Sequence, residues 1–199
     1  MYNFESFSVK VNQNVLIRPQ KLNFPEKGLF LIIGANGIGK TTFLKQLAIH
    51  LLRIHKNLKI SFVSSIQIYE RELSLSGKEF YSLYSQKPWT NDVLSHFGHL
   101  LSKRIDHMSS GEFQALILIS NFMENSDVLL VDEPISHLSP EWAHFFVLWM
   151  NELKNTKLII TVSHQMTYLQ STADQIFEIK DLHLVLKQQH VESQIHDIH

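Results

Sequence analysis

The chain has 199 residues, 44% hydrophobic and 19% charged, the proportions of a soluble globular domain large enough to bury its own core. Its 18 basic and 19 acidic side chains leave a net charge of −1, and it has no cysteine, so the positive field of a general nucleic-acid binder is absent, as are disulfides and thiolate chemistry. No export signal is expected from MYNFESFSVK, and the longest apolar stretches, Ala115–Ile119 and Phe145–Met150, fall far short of the roughly 20 residues that a membrane span needs.

Residues 2–11 partly alternate apolar and polar, which predicts a strand, and a second is predicted over Val15–Phe24. Gly28–Ile33 is a short continuous apolar run, the pattern of a parallel strand buried on both faces. A glycine-rich turn over 34–39 follows, then a helix from Thr41 to about His55 and a strand over Leu58–Val63. From Gln67 to Met108 the chain turns polar and serine-rich, with helical pieces at Lys78–Tyr84 and Asn91–Leu101 interrupted by Pro88 and Gly98. This predicts a small helical subdomain, over about 67–110, inserted in one domain spanning 1–199. Next come a helix from Gly111 to Met123, a strand over Asp127–Val131, a helix over Glu141–Lys154 and a strand over Lys157–Val162. A short helix and strands near Gln175–Ile179 and His183–Leu186 complete the chain. Alternation of strands and helices predicts an α/β fold with a mainly parallel sheet.

Gly34-Ala35-Asn36-Gly37-Ile38-Gly39-Lys40-Thr41-Thr42 fits the phosphate-loop pattern G-x-x-x-x-G-K-[ST]. Such a loop curls so that successive backbone N–H groups face phosphate oxygens, and glycine permits both the dihedrals and the close approach. The helix that follows adds the positive end of its dipole. Lys40 is placed to neutralise the β and γ phosphates and Thr41 to ligate Mg²⁺. Asp127–Glu133 is an apolar strand ending in two acids. Alone, it could be a buried strand with solvated acids at its mouth. Beside a phosphate loop, Asp132 is expected to emerge next to the metal, since ligands of open α/β sheets sit at the carboxyl ends of strands. Glu133, one step further, is then placed to polarise an attacking water as general base.

Met108-Ser109-Ser110-Gly111-Glu112-Phe113-Gln114 resembles the signature segment of the ABC ATPases, and Thr161-Val162-Ser163-His164-Gln165 resembles their switch-histidine segment. Together with the phosphate loop and the acidic strand they occur in the family's order over residues 34–164. The resemblance implies a P-loop NTPase of ABC type, with N-terminal antiparallel strands, acting as the ATP-hydrolysing subunit of a transporter. It implies that two copies, or a pseudo-dimer with another ABC ATPase, clamp head to tail. Ser109 and Gly111 of one would cap the γ-phosphate held by the other's loop, and His164 would hydrogen-bond that phosphate. Separate transmembrane permease subunits would hold the protein on the cytoplasmic face of the cell membrane, with no direct insertion and no nucleic acid involved. A soluble ABC ATPase of an assembly or remodelling complex, and a nucleotide-gated subunit with impaired hydrolysis, are the alternatives.

Several positions depart from the family pattern. Ser110 replaces a signature glycine, Glu112 a glutamine, and Ser139 an aspartate of the loop that communicates across the dimer. The simplest alignment puts Ser65 at the place of the family's glutamine that touches Mg²⁺, and Gln67 lies two residues later. The aromatic that stacks on adenine has no clear counterpart: Val9 and Val11 fall near its place, and Phe7, the nearest aromatic, also suits a strand core. In compactness the chain is similar to the haem-exporter ATPases of cytochrome c maturation, a likeness of size and layout, and the β-hairpin often found after the first helix is expected to be reduced. Among the 12 histidines, His190, His196 and His199 read as a solvated tail.

Overall fold

The computed structural model describes residues 1–11, 13–64, 74–164 and 169–189. Strands β1 (Tyr2–Val11) and β2 (Asn14–Phe24) form an antiparallel pair of their own. The main sheet has the order β4-β5-β6-β3-β7-β8, with β3 Gly28–Ile33, β4 Ile60–Val63, β5 Val128–Asp132, β6 Leu158–Val162, β7 Gln175–Lys180 and β8 His183–Gln189. Its strand pairs are parallel except β7 with β8. Every residue of β5 and β6 is buried. Helices cover both faces, which is why these strands read as unbroken apolar runs.

One face, built from Phe30, Ile32, Leu130 and Ile160, packs against Phe43, Leu44, Leu47 and Leu51 of helix α1 (Lys40–Ile54) and against Phe7 and Phe24 of the β1–β2 pair. The other face, built from Leu29, Leu31, Val131 and Ile159, packs against α4 (Ser110–Met123), α5 (Pro140–Leu153) and the inserted subdomain, whose helices are α2 (Gly77–Tyr84) and α3 (Asn91–Phe97). Helix α4 is buried on all sides from Phe113 to Phe122, its polar Gln114, Ser120 and Asn121 each donating to a backbone carbonyl. The β1–β2 pair is stitched to the sheet edge by the Arg18 N–H, which donates to Leu182 O at 2.8 Å. Beside it the Gln20 carboxamide both donates to Leu184 O and accepts from Leu184 N, each at 3.1 Å.

The predicted elements stand within a few residues of their expected places. The expected helix over Asn91–Leu101 divides at Gly98, after which the chain tightens into a 3₁₀ turn over Gly98–Leu101. No strand lies between α1 and β4 among the described residues, in line with a reduced hairpin. The short helix predicted after β6, Gln67, Ser65 and the three tail histidines lie outside the described residues.

Gly77 fixes how the inserted subdomain packs. A Cβ there would collide with the backbone carbonyl of Leu100, which side-chain motion cannot relieve, and its N–H donates to Lys103 O at 2.9 Å. Gly77→Ala is therefore expected to cost about 2–3 kcal/mol, within the range of overpacked sites. Urea unfolding would register it as a lower midpoint at unchanged slope.

Candidate nucleotide site

Strand β3 ends at Ile33 and delivers the chain into the loop over 34–39 at the start of α1. Gly37 and Gly39 take φ of 78° and 101°, a left-handed conformation that a β-carbon disfavours. Gly39 is the N-cap residue of α1, and no side chain caps that helix and no acid stands in its first turn. The first N–H groups of α1 are thus left to an anion, and the helix dipole favours one there. Leu16 of β2 closes on this end of the loop, its Cδ1 standing 2.6 Å from where a Cβ of Gly39 would lie.

Lys40 is 8% exposed, and its Nζ donates to Gly34 O at 2.9 Å and to Ala35 O at 3.2 Å. Across the cleft the Thr41 hydroxyl donates to Asp132 Oδ2 at 2.7 Å. A hydroxyl and a buried carboxylate held together are the hard oxygen donors that Mg²⁺ takes, so Thr41 and Asp132 fit a Mg²⁺ ion. Burial pushes the Asp132 carboxyl above its usual range and the nearby Glu133 adds to this, while the Thr41 hydrogen bond and the charges of Lys40 and Lys45 oppose it. With its folded pKa above the unfolded one, this group contributes stability at low pH that is lost as pH rises through the raised value. A divalent cation beside it would reverse that sign.

Glu133 is a non-glycine residue at φ 50°, a turn that carries its side chain across the end of β6. Its N–H donates to Val162 O at 3.0 Å. Its carboxylate accepts from Ser163 Oγ at 3.1 Å and from His164 N at 3.1 Å, and His164 Nδ1 lies 2.9 Å from Oε1. The parallel register, Asp132 beside Val162, makes this meeting possible by ending both strands at the same level. One cleft of about 380 Å³ has the loop from Asn36 to Thr42 as one wall and Asp132 and Glu133 as the other. A second, of about 230 Å³, lies between Ala35, His164, Glu178 and Lys187.

Ser109 and Gly111 are not part of this cluster. They stand at the start of α4, where Ser109 Oγ accepts from Glu112 N at 3.2 Å and Glu112 accepts from Ser109 N at 2.8 Å. Hydrogen bonding from Lys103 lowers the Glu112 carboxyl below its ordinary range, with the Ser109 bonds helping and burial opposing. A Cβ on Gly111 would lie 2.6 Å from His137 O, so this glycine is also demanded by packing against the loop after β5. Ser139, where the resemblance implies an aspartate, caps α5 by accepting from Trp142 N at 3.3 Å. Serine and aspartate are comparable caps, so the exchange leaves the helix start intact.

Phe7 is fully buried against Phe4, Phe43 and His50, a core aromatic, and Val9 is buried as well. Val11 is 40% exposed. Leu16 and Ser163 join the site without a role that the sequence alone suggests. The hydroxyl of Ser163 was one step from the predicted His164, but only the strand register shows that it reaches Glu133.

The family description "ABC transporter" matches residues 17–136. The zinc import ATP-binding protein ZnuC of Rickettsia bellii is 26% identical over 188 residues, covering 87% of this chain and 80% of that protein. A probable metal transport system ATP-binding protein of Thermotoga maritima is 30% identical over 155 residues, covering 70% of this chain and 65% of that one. The ribosome protection protein VmlR of Bacillus subtilis is 28% identical over 182 residues, 89% of this chain but 31% of that protein. In fold, the chain is similar to the ATP-binding cassette MJ0796 in a dimeric post-hydrolysis state bound to ADP and Pi, at TM-score 0.72 and 16% identity over 94% of this chain and 97% of the other. With more than half its length inside the family match, the chain belongs to the ABC transporter family, as an ATP-binding subunit that hydrolyses ATP.

Proposed function

We propose that two copies of this chain close head to tail over two molecules of Mg-ATP, and that hydrolysis opens the pair again and drives translocation by separate membrane subunits. The observation that carries this reading is the separation of parts. Lys40, Thr41, Asp132 and Glu133 line one cleft and His164 is tied to it through Glu133, while Ser109 and Gly111 stand outside it at a helix start. A second copy supplies the missing wall. The similar cassette MJ0796 is dimeric.

In this reading the loop N–H groups and Lys40 grip the phosphates, and Thr41 and Asp132 hold Mg²⁺. When bound, the ion neutralises charge on the β and γ phosphates and orients them. Glu133, gripped by Ser163 and His164, takes a proton from the attacking water as the bond to the bridging oxygen of ADP breaks. His164 already spends Nδ1 on Glu133, so a hydrogen bond to the γ-phosphate requires a proton on Nε2 as well. Ser109 uses an oxygen lone pair to cap α4, which leaves its hydroxyl proton for the phosphate of the opposite copy.

No helix among the described residues is long and apolar enough to cross a membrane, and a permease partner would supply the spanning segments and choose the cargo. The test is sedimentation of Glu133→Gln with saturating MgATP: a dimer is expected with ATP and a monomer with ADP. A monomer under both conditions sinks the composite site. The likeness to VmlR favours a second reading, a cassette acting on ribosomes. Co-sedimentation with ribosomes, rather than with membranes containing a permease, would select it.

A further inference from the structure

Two helices of this chain begin with the same device. In α2, Ser76 and Glu79 exchange side-chain and backbone hydrogen bonds, and in α4, Ser109 and Glu112 do the same. Glu79 has no ion pair among the described residues, and its capping geometry forms without one. Glu112 is treated differently. Lys103 Nζ donates to both of its oxygens, at 2.9 and 2.7 Å, and His99 Nε2 stands 3.7 Å away. The Glu112 side chain is only 17% exposed. The backbone around Lys103 is also anchored: Lys103 O accepts from Gly77 N, and Ile105 N donates to Leu75 O, each at 2.9 Å. This lysine is therefore held against the carboxylate from a fixed strap.

Capping does not need the cation, as α2 demonstrates. A capping carboxylate nevertheless places a negative charge where the start of α4 is proposed to meet a triphosphate, and like charges repel, the more so at low ionic strength. We infer that Lys103 is a positioning residue for the composite site, the counter-cation that cancels Glu112 so that Ser109 and Gly111 can accept the γ-phosphate held by a second copy. The inference rests on the proposed head-to-tail dimer. It explains how glutamate is tolerated at this position: the cap keeps its hydrogen bonds and Lys103 removes the charge.

The test uses the full chain in the Glu133→Gln background and follows MgATP-driven dimerisation by sedimentation. Adding Lys103→Met is expected to weaken dimerisation about ten-fold at low salt, the scale of one lost charge-assisted contact, and by less at high salt. Binding of a fluorescent ATP analogue to the monomer should stay within about two-fold, because Lys103 touches no part of the phosphate cleft. Lys103→Arg should retain dimerisation, and adding Glu112→Gln to Lys103→Met should restore it. Unchanged dimerisation in Lys103→Met overturns the proposal. So does a Lys103→Met/Glu112→Gln protein as weak as Lys103→Met, which would make the lysine's role one of packing. If the Glu133→Gln parent stays monomeric in MgATP, the composite site itself fails and this inference falls with it.

Discussion

Exchange of Glu133 for glutamine is expected to lower kcat about 1,000-fold, within the range that a lost general base produces, while MgATP affinity stays within about two-fold. The side chains have nearly the same shape, and the amide oxygen can still accept from Ser163 Oγ or His164 N, which now bind the carboxylate at 3.1 Å. What disappears is the capacity to take a proton from water. Single-turnover release of phosphate, beside an equilibrium binding titration, separates the two effects. A variant that hydrolyses ATP at the wild-type rate would show that the base lies elsewhere.

Lys40→Ala is expected to act on binding instead, raising the Kd for MgATP about 100-fold or more, the equivalent of roughly 2.7 kcal/mol. Two losses add. The Nζ that donates to Gly34 O and Ala35 O helps to hold the loop closed, and the same ammonium is the nearest cation for the β and γ phosphates. Charge-assisted hydrogen bonds of this kind are about twice as strong as neutral ones. Lys40→Arg should not restore affinity, because a planar guanidinium cannot occupy a site that encloses a compact ammonium to 8% exposure. Isothermal titration with MgATP measures both variants. Wild-type affinity in Lys40→Ala would remove the lysine from the site.

The phosphate loop, the acidic strand and the order of the elements were legible because each is a local pattern with a local cause. Gly39 has to turn left-handed, so a glycine is visible there, and β5 is buried on both faces, so Val128–Val131 reads as an apolar run. The meeting of Glu133 with Ser163 and His164 was not legible. It depends on the register between β5 and β6 and on a positive φ at a residue that is not glycine, and neither leaves a mark in composition or spacing. Phe7 shows the converse. Its place near the expected adenine contact offered two readings, and the packing of Phe4, Phe43 and His50 around it leaves the ring no exposed surface. The ion pair of Glu112 likewise needed three-dimensional neighbours to be understood.

The strand order has a consequence for a chain still being synthesised. Strands β3 and β5, which carry the phosphate loop and the acids, do not touch. Strand β6 lies between them and is made after both. Until β6 and the Ser163 and His164 that follow it have left the ribosome, no strand bridges β3 and β5, and Glu133 lacks both of those partners. A chain that stops short of β6 therefore lacks the strand that joins the two halves of the site, and β7, made later still, completes the pairing of β3.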